Sequence, residues 1–162
     1  MKNFIALVLL FVLVSFTDRA RREASILKIE PIELKQIPIE EPPKTEDLLI
    51  KAIIFVESSG NDSAYCKVED AVGCLQIRRV MVREVNRILK KQGKSKRYKL
   101  NDRWKRDESV EMFNIYIEYY KLKTPEDIAR SWNGGPRGSL KNATISYWNK
   151  VKKNLTEFKD NI

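Results

Sequence analysis

The stretch Thr45–Asn61, TEDLLIKAIIFVESSGN, decides how the rest of the chain reads. Thr45 is suited to cap a first helical turn, and Glu46 and Asp47 suit its positive end. Leu48 to Val56 is apolar except for Lys51. A strand over Ile53–Val56 competes for these residues, but the cap and the length of the segment favour a buried helix. Glu57-Ser58-Ser59-Gly60-Asn61 ends it and leaves a single carboxylate at the C-terminal end of an apolar helix, with Ile53 and Ile54 four and three residues before it. Desolvation and the negative helix end both disfavour the charged form, so the pKa of Glu57 should be raised, as a general acid requires. A solvent-facing terminal Glu fits the same residues, and this segment alone leaves both readings open.

Outward from that helix the pattern is almost wholly helical. A polar loop, Asn61 to Val72, carries Cys66 and leads through Gly73-Cys74-Leu75-Gln76-Ile77 into an amphipathic helix over Val80, Val82, Val85, Ile88 and Leu89 that ends near Gln92-Gly93. A third helix is predicted from Asp107 to Tyr120, burying Val110, Phe113, Ile117 and Tyr120, with Tyr116 and Tyr119 in the core or reaching a cleft rim. Thr124-Pro125-Glu126-Asp127 is a strong helix start, and that helix stops at Trp132-Asn133-Gly134-Gly135-Pro136, a turn suited to close approach. A last helix from about Asn142 holds Tyr147, Trp148 and Val151.

The chain has 162 residues, which favours a single domain with a real core. It contains no histidine, so Ser-His-Asp and Cys-His triads and His-ligated zinc are excluded, and two cysteines do not complete a four-ligand zinc site. No metal or cofactor is called for. Lys and Arg total 31 against 22 Asp and Glu, a net charge of +9. Lys90 to Lys99 is strongly basic with only Tyr98 aromatic, a pattern of a solvated loop rather than a nucleic-acid reader. The basic balance suits an anionic polymer by long-range attraction without naming it.

The N-terminus differs in character. Lys2 precedes an apolar run from Phe4 to Val14 that Ser15 and Phe16 extend to 13 residues, which spans roughly 20 Å as a helix against a hydrocarbon core of ~30 Å, so an export signal is favoured over a full membrane span. No A-x-A-like cleavage site follows, which leaves residues 1–17 as a signal peptide or a retained membrane anchor. Pro31, Pro38, Pro42 and Pro43 then mark an extended linker, residues 18–44, ahead of a domain over 45–162. An extended arm lying against the domain fits the alternation Ile29, Ile32, Leu34, Ile37, Ile39. The expected location is the periplasm or cell envelope, and the expected state is a monomer.

Three blocks carry a resemblance. Glu57-Ser58-Ser59-Gly60-Asn61, Ala71-Val72-Gly73-Cys74-Leu75-Gln76-Ile77 and Ala129-Arg130-Ser131-Trp132-Asn133-Gly134-Gly135-Pro136 occur in the order and spacing of the soluble lytic transglycosylase and goose-type lysozyme family, over about residues 45 to 150. The resemblance implies a mainly α, lysozyme-like helical domain with a cleft. It implies Glu57 as the catalytic residue, and Ser58, Gln76, Trp132, Asn133 and Gly134 as substrate-binding residues. For Gln76 and Asn133 a helix N-terminal contact and a C-cap are the plainer roles. The implied substrate is the glycan strand of peptidoglycan, cut between N-acetylmuramic acid and N-acetylglucosamine. Glu57 would protonate the bridging oxygen and then, as base, take the proton of the 6-hydroxyl to close a 1,6-anhydro ring. Only one carboxylate is well placed, which favours this transglycosylase route over two-carboxylate hydrolysis. Asp62 and Asp70 keep a hydrolytic muramidase open, and a catalytically idle peptidoglycan-binding module is the non-enzymatic alternative. The chain departs from the family pattern at Asp70, where Gly is usual, at Cys74 and Leu75, which replace Leu and Met, and at Trp132, where Tyr is usual. The Trp lacks the hydroxyl that in the family helps position the acid or the sugar, while an indole offers a stacking face and one N–H donor. Cys66 and Cys74 either form a disulfide across the loop after Glu57, as an exported chain permits, or remain two independent thiols.

Overall fold

The computed structural model describes residues 45–161. The expected signal or anchor and the linker lie outside the described residues, and among those described no helix is long and apolar enough to cross a membrane. The fold is mainly helical with one small two-stranded sheet. Helix α1 runs Thr45–Ser58, and the short strands β1 (Tyr65–Cys66) and β2 (Ala71–Val72) follow. Then come α2 (Arg79–Lys91), a 3-10 turn at Leu100–Trp104, α3 (Arg106–Tyr120) and α4 (Pro125–Gly134). Two further 3-10 turns, Gly138–Leu140 and Asn142–Thr144, lead into α5 (Ile145–Asp160).

Helix α1 is the centre of the core because its apolar residues recur every three to four positions. Leu48, Leu49, Ala52, Ile53 and Ile54 are all buried, while Lys51 and Phe55 face outward. Phe55 is partly covered by an edge-on contact with Phe158 of α5, the helix against which α1 packs most extensively. α2 contributes Val82, Val85, Ile88 and Leu89 to the same core and pairs with α3. α4 is the best-specified helix: the Thr124 hydroxyl accepts the Asp127 N–H, and Pro125 occupies its first position, where a missing N–H costs nothing.

Tyr116 takes the core role of the two the sequence allowed: it is wholly buried and its hydroxyl donates to the Ser131 carbonyl. Several other details differ from the sequence reading. Val80, placed by periodicity on the apolar face of α2, is 55% exposed because it sits in the first turn, beside a cleft. α4 ends inside the expected Trp132–Pro136 stretch, running through Gly134 with Gly135 (φ +84°) making the exit. α5 begins at Ile145, after the 3-10 turn that occupies Asn142 to Thr144.

The loop expected between Asn61 and Val72 is a small hairpin, with Tyr65 opposite Val72 and Cys66 opposite Ala71. It is stitched on by the Gly73 N–H to the Ala64 carbonyl and by reciprocal Val72 and Ile77 backbone bonds. Arg103, only 5% exposed, secures it from beneath by donating to the carbonyls of Leu100, Asp70 and Ile77. Both cysteines are free, which corrects the disulfide alternative. Cys74 is buried in the core, its thiol pushed up in pKa by that burial, whereas Cys66 is half-buried.

Candidate functional site

Glu57 occupies the penultimate position of α1, one turn beyond the buried Ile53 and Ile54. The helix stops just after it because the chain turns left-handed at Ser59 (φ +53°) and Gly60 (φ +83°), with the Ser59 N–H closing on the Phe55 carbonyl. Ser58 fixes this end. Its hydroxyl donates to the Cys74 carbonyl at 2.8 Å and shares a longer bond with the Ile54 carbonyl, so the helix terminus and the loop carrying Gln76 are tied together. Ser58 is thereby engaged in the scaffold and is not among the residues lining the cleft.

The cleft beside Glu57 has a volume of about 330 Å³. The structure brings four of the six expected site residues to it: Glu57, Gln76, Trp132 and Asn133. Gly134 is not among its lining residues; it lies in the last turn of α4 against the Thr144 side chain, where a Cβ would collide. Gln76 is in the left-handed region (φ +46°), and its Nε2 donates to the Gly73 carbonyl at 2.9 Å and to that of Ala64 at 3.3 Å. Its amide therefore braces the loop while the residue borders the cleft, and it makes no helix N-terminal contact, since α2 begins at Arg79. Asn133 stays helical, so the C-cap is not its role either.

Trp132 contributes less surface than an exposed indole would. It is 8% exposed, with Phe113 edge-on at 4.9 Å and Tyr116 at 6.0 Å between ring centroids, so its faces are spent on the core. What it offers Glu57 is the indole N–H. The hydroxyl missing at this position is supplied from elsewhere: Tyr147 of α5 donates to Oε1 of Glu57 at 2.7 Å. The sequence places Tyr147 only in an apolar helix 90 residues away, and the one available signal was the lost hydroxyl at Trp132, which asks for a replacement donor.

Burial dominates the electrostatics and pushes the pKa of Glu57 up from its ordinary 4.5 to about 7. The hydrogen bond from Tyr147, the charge of Arg78 and the Trp132 N–H pull the other way, and the charge of Glu69 adds to the rise. Arg78 and Glu69 also line the cleft and sit 3.6 Å from one another, a charged pair that sequence reasoning passed over. Cys66 forms part of the wall. A carboxyl in this state is equipped to donate a hydrogen bond or a proton to a group seated in front of it.

The other two carboxylates once considered for the site are engaged away from it. Asp70 pairs with Arg79 and Arg103, and the Arg79 hydrogen bond holds its carboxyl below the usual range. Asp62 pairs with Arg106 at 2.9 Å. Neither lines the cleft, so neither supplies a second acid or base there. Among the described residues, no cluster of His, Cys, Asp and Glu is placed to hold a metal ion.

Fold and site together define a mainly helical domain with a cleft in whose wall the half-buried Glu57 has a raised pKa. No family model matches the chain, and no curated protein matches it. Among solved structures it is similar to a chain of the crystal structure of Aeromonas hydrophila PliI in complex with Meretrix lusoria lysozyme, at 24% identity and a TM-score of 0.53, over 65% of this chain and 87% of that one. PliI is a protein inhibitor of lysozyme. A likeness at this identity shows the fold alone.

This finding corrects the functional expectation drawn from the three sequence blocks. The resemblance implied an enzyme, a lytic transglycosylase or a hydrolytic muramidase, with glycosidase or lyase chemistry on peptidoglycan. The structural neighbour is a chain of a complex between a lysozyme and its inhibitor, and no family model or curated protein supports a transglycosylase family for this chain. Peptidoglycan as a partner is likewise unsupported by the comparisons.

Proposed function

We propose that this chain binds another protein through the Glu57 cleft, as one side of a complex of the lysozyme–inhibitor kind. The observation that carries the reading is the likeness in fold to a chain of such a complex. The cleft supplies the means: it is concave, so the partner inserts a projecting segment. Its polar groups, Glu57, Arg78, Gln76 and Asn133, are of the kind that fix an inserted loop by hydrogen bonds. Val80 at its margin and Val68 on the neighbouring hairpin, 55% and 96% exposed, offer apolar surface to the partner's flanks. Ser58 and Gly134 take part indirectly, by holding the helix ends on which Glu57 and Asn133 ride.

In this reading the domain is lysozyme-like in architecture, the apolar run Phe4–Val14 sends it to the cell envelope, and the encounter takes place there. The test is calorimetric titration of the full chain with Meretrix lusoria lysozyme and, separately, with PliI. Micromolar or tighter binding of one of them, lost in Val80→Asp, supports the reading, and the protein that binds tells which side of the pair this chain occupies. Binding of neither overturns it.

A further inference from the structure

The hydrogen bond between Tyr147 and Glu57 has a direction. Tyr147 is half-buried, and among the described residues its hydroxyl has Glu57 Oε1 as its one hydrogen-bond partner. The phenol donates its hydrogen to Oε1, which therefore acts as the acceptor in this pair. When Glu57 is neutral, its own proton is therefore confined to Oε2. We propose that Tyr147 is a positioning residue: it fixes the Glu57 proton on Oε2, making the acid a hydrogen-bond donor for an acceptor group on the segment a partner inserts. Docking in the cleft is then lost when that proton is lost. The inference rests on the proposed protein-binding function and adds to it both the chemistry of the contact and its regulation.

The surroundings fit this assignment. From α5 only Tyr147 faces the carboxyl, and from α4 the non-titrating indole N–H of Trp132. From the hairpin and the loop before α2 come Glu69 and Arg78, whose charges oppose one another across 3.6 Å. Burial raises the pKa of Glu57 to about 7, and the Cys66 thiol is a further titratable group on this wall, so the pH profile is read in a Cys66→Ser background. An inserted carbonyl or hydroxyl oxygen accepts from neutral Glu57, while the ionised form presents two acceptor oxygens and repels it. Since only the neutral fraction is competent, apparent affinity follows that fraction, and about pH 9 should weaken binding roughly 100-fold relative to about pH 5.

Two measurements on the full chain test this. The first needs no partner: NMR titration of the Glu57 side-chain carboxyl in the wild type and in Tyr147→Phe. Loss of a bond that favours the charged form should move the midpoint upward, and an unchanged or lowered midpoint overturns the role of Tyr147. The second, in the Cys66→Ser background, is the pH profile of binding to PliI and to Meretrix lusoria lysozyme. The Cys66→Ser parent should lose affinity with the carboxyl titration, Tyr147→Phe should retain it to higher pH, and Glu57→Gln, which donates through Nε2 without titrating, should bind independently of pH. Equal binding of that parent at both extremes overturns the proton requirement. Failure of both proteins to bind at every pH overturns the docking function instead, and the carboxyl titration still decides whether Tyr147 positions the proton.

Discussion

Replacing Glu57 with Gln should make the fold more stable than the wild type in alkaline solution, by an amount that vanishes in acid. The folded protein holds the Glu57 proton more tightly than the unfolded chain does, because burial raises the folded value from 4.5 to about 7. Between those values the native state binds more protons than the unfolded state, so stability falls as pH rises. The stabilisation is fully present below about pH 4.5 and gone once the pH has passed through the folded value. The gap of about 2.5 pH units, at about 1.36 kcal/mol each, amounts to about 3 kcal/mol. Gln fills the same space and carries no titrating proton, so it removes this dependence. Every other ionisable group contributes alike to both proteins and cancels in the comparison. The assay is urea denaturation of both proteins at about pH 4 and about pH 9. With a slope of about 1–3 kcal/mol per molar urea, the difference between their midpoints should change by about 1–3 M between the two conditions, in favour of Gln at high pH. Midpoints that move in parallel would refute the argument, because they would show that Glu57 keeps an ordinary pKa and is neither desolvated nor poised.

The remaining expectations concern the frame that holds the cleft. Arg103→Ala leaves the carbonyls of Leu100, Asp70 and Ile77 without their shared donor, and thermal unfolding should register a loss of about 3 kcal/mol; Lys at this position should not restore it, because one ammonium cannot replace the guanidinium fork. Gly73→Ala sets a side chain at φ +78° against the Arg103 carbonyl and should cost about 2 kcal/mol or more in a denaturant titration. Thr124→Ala, which removes the cap of α4, should cost about 1 kcal/mol, visible as a lowered melting temperature. Thiol alkylation followed by mass spectrometry should label Cys66 in the native protein and Cys74 only after denaturation.

The helices were legible in the sequence because each carries its own local instructions. Thr124-Pro125 starts α4, the apolar spacing from Leu48 defines α1, and Gln92-Gly93 ends α2. The hairpin was not legible, since β1 and β2 are two residues each, too short for alternation to register, and depend on Arg103 from a distant turn. Tyr116 was ambiguous for a related reason. A tyrosine on a helix suits either a rim or the core, and the choice fell to the Ser131 carbonyl, which gives its hydroxyl a buried partner. In the site, Glu57, Gln76, Trp132 and Asn133 could be gathered because short motifs place them at helix ends and turns that converge. Tyr147, Glu69 and Arg78 enter only through tertiary packing of elements that no motif connects.

The same distinction explains why the fold could be approached through the three sequence blocks while the activity could not. What those blocks encode physically is a helix terminus after Glu57, a tight loop around Gly73 and Gln76, and an exit after Asn133; these are instructions for building a cleft with an acid in its wall. The acid itself is chemically versatile. A carboxyl held neutral by burial can yield a proton to a breaking bond, or keep it and donate a hydrogen bond to whatever fills the cleft, and the surrounding residue types are compatible with either use. What separates the two uses is the rest of the cleft. Here Asp62 and Asp70 are tied to arginines away from it, Glu69 on its wall is paired with Arg78, and the indole faces that would stack on a ligand are turned into the core. The cleft retains hydrogen-bonding groups fixed by their neighbours and apolar surface beside it, the combination by which a rigid pocket receives a protruding loop.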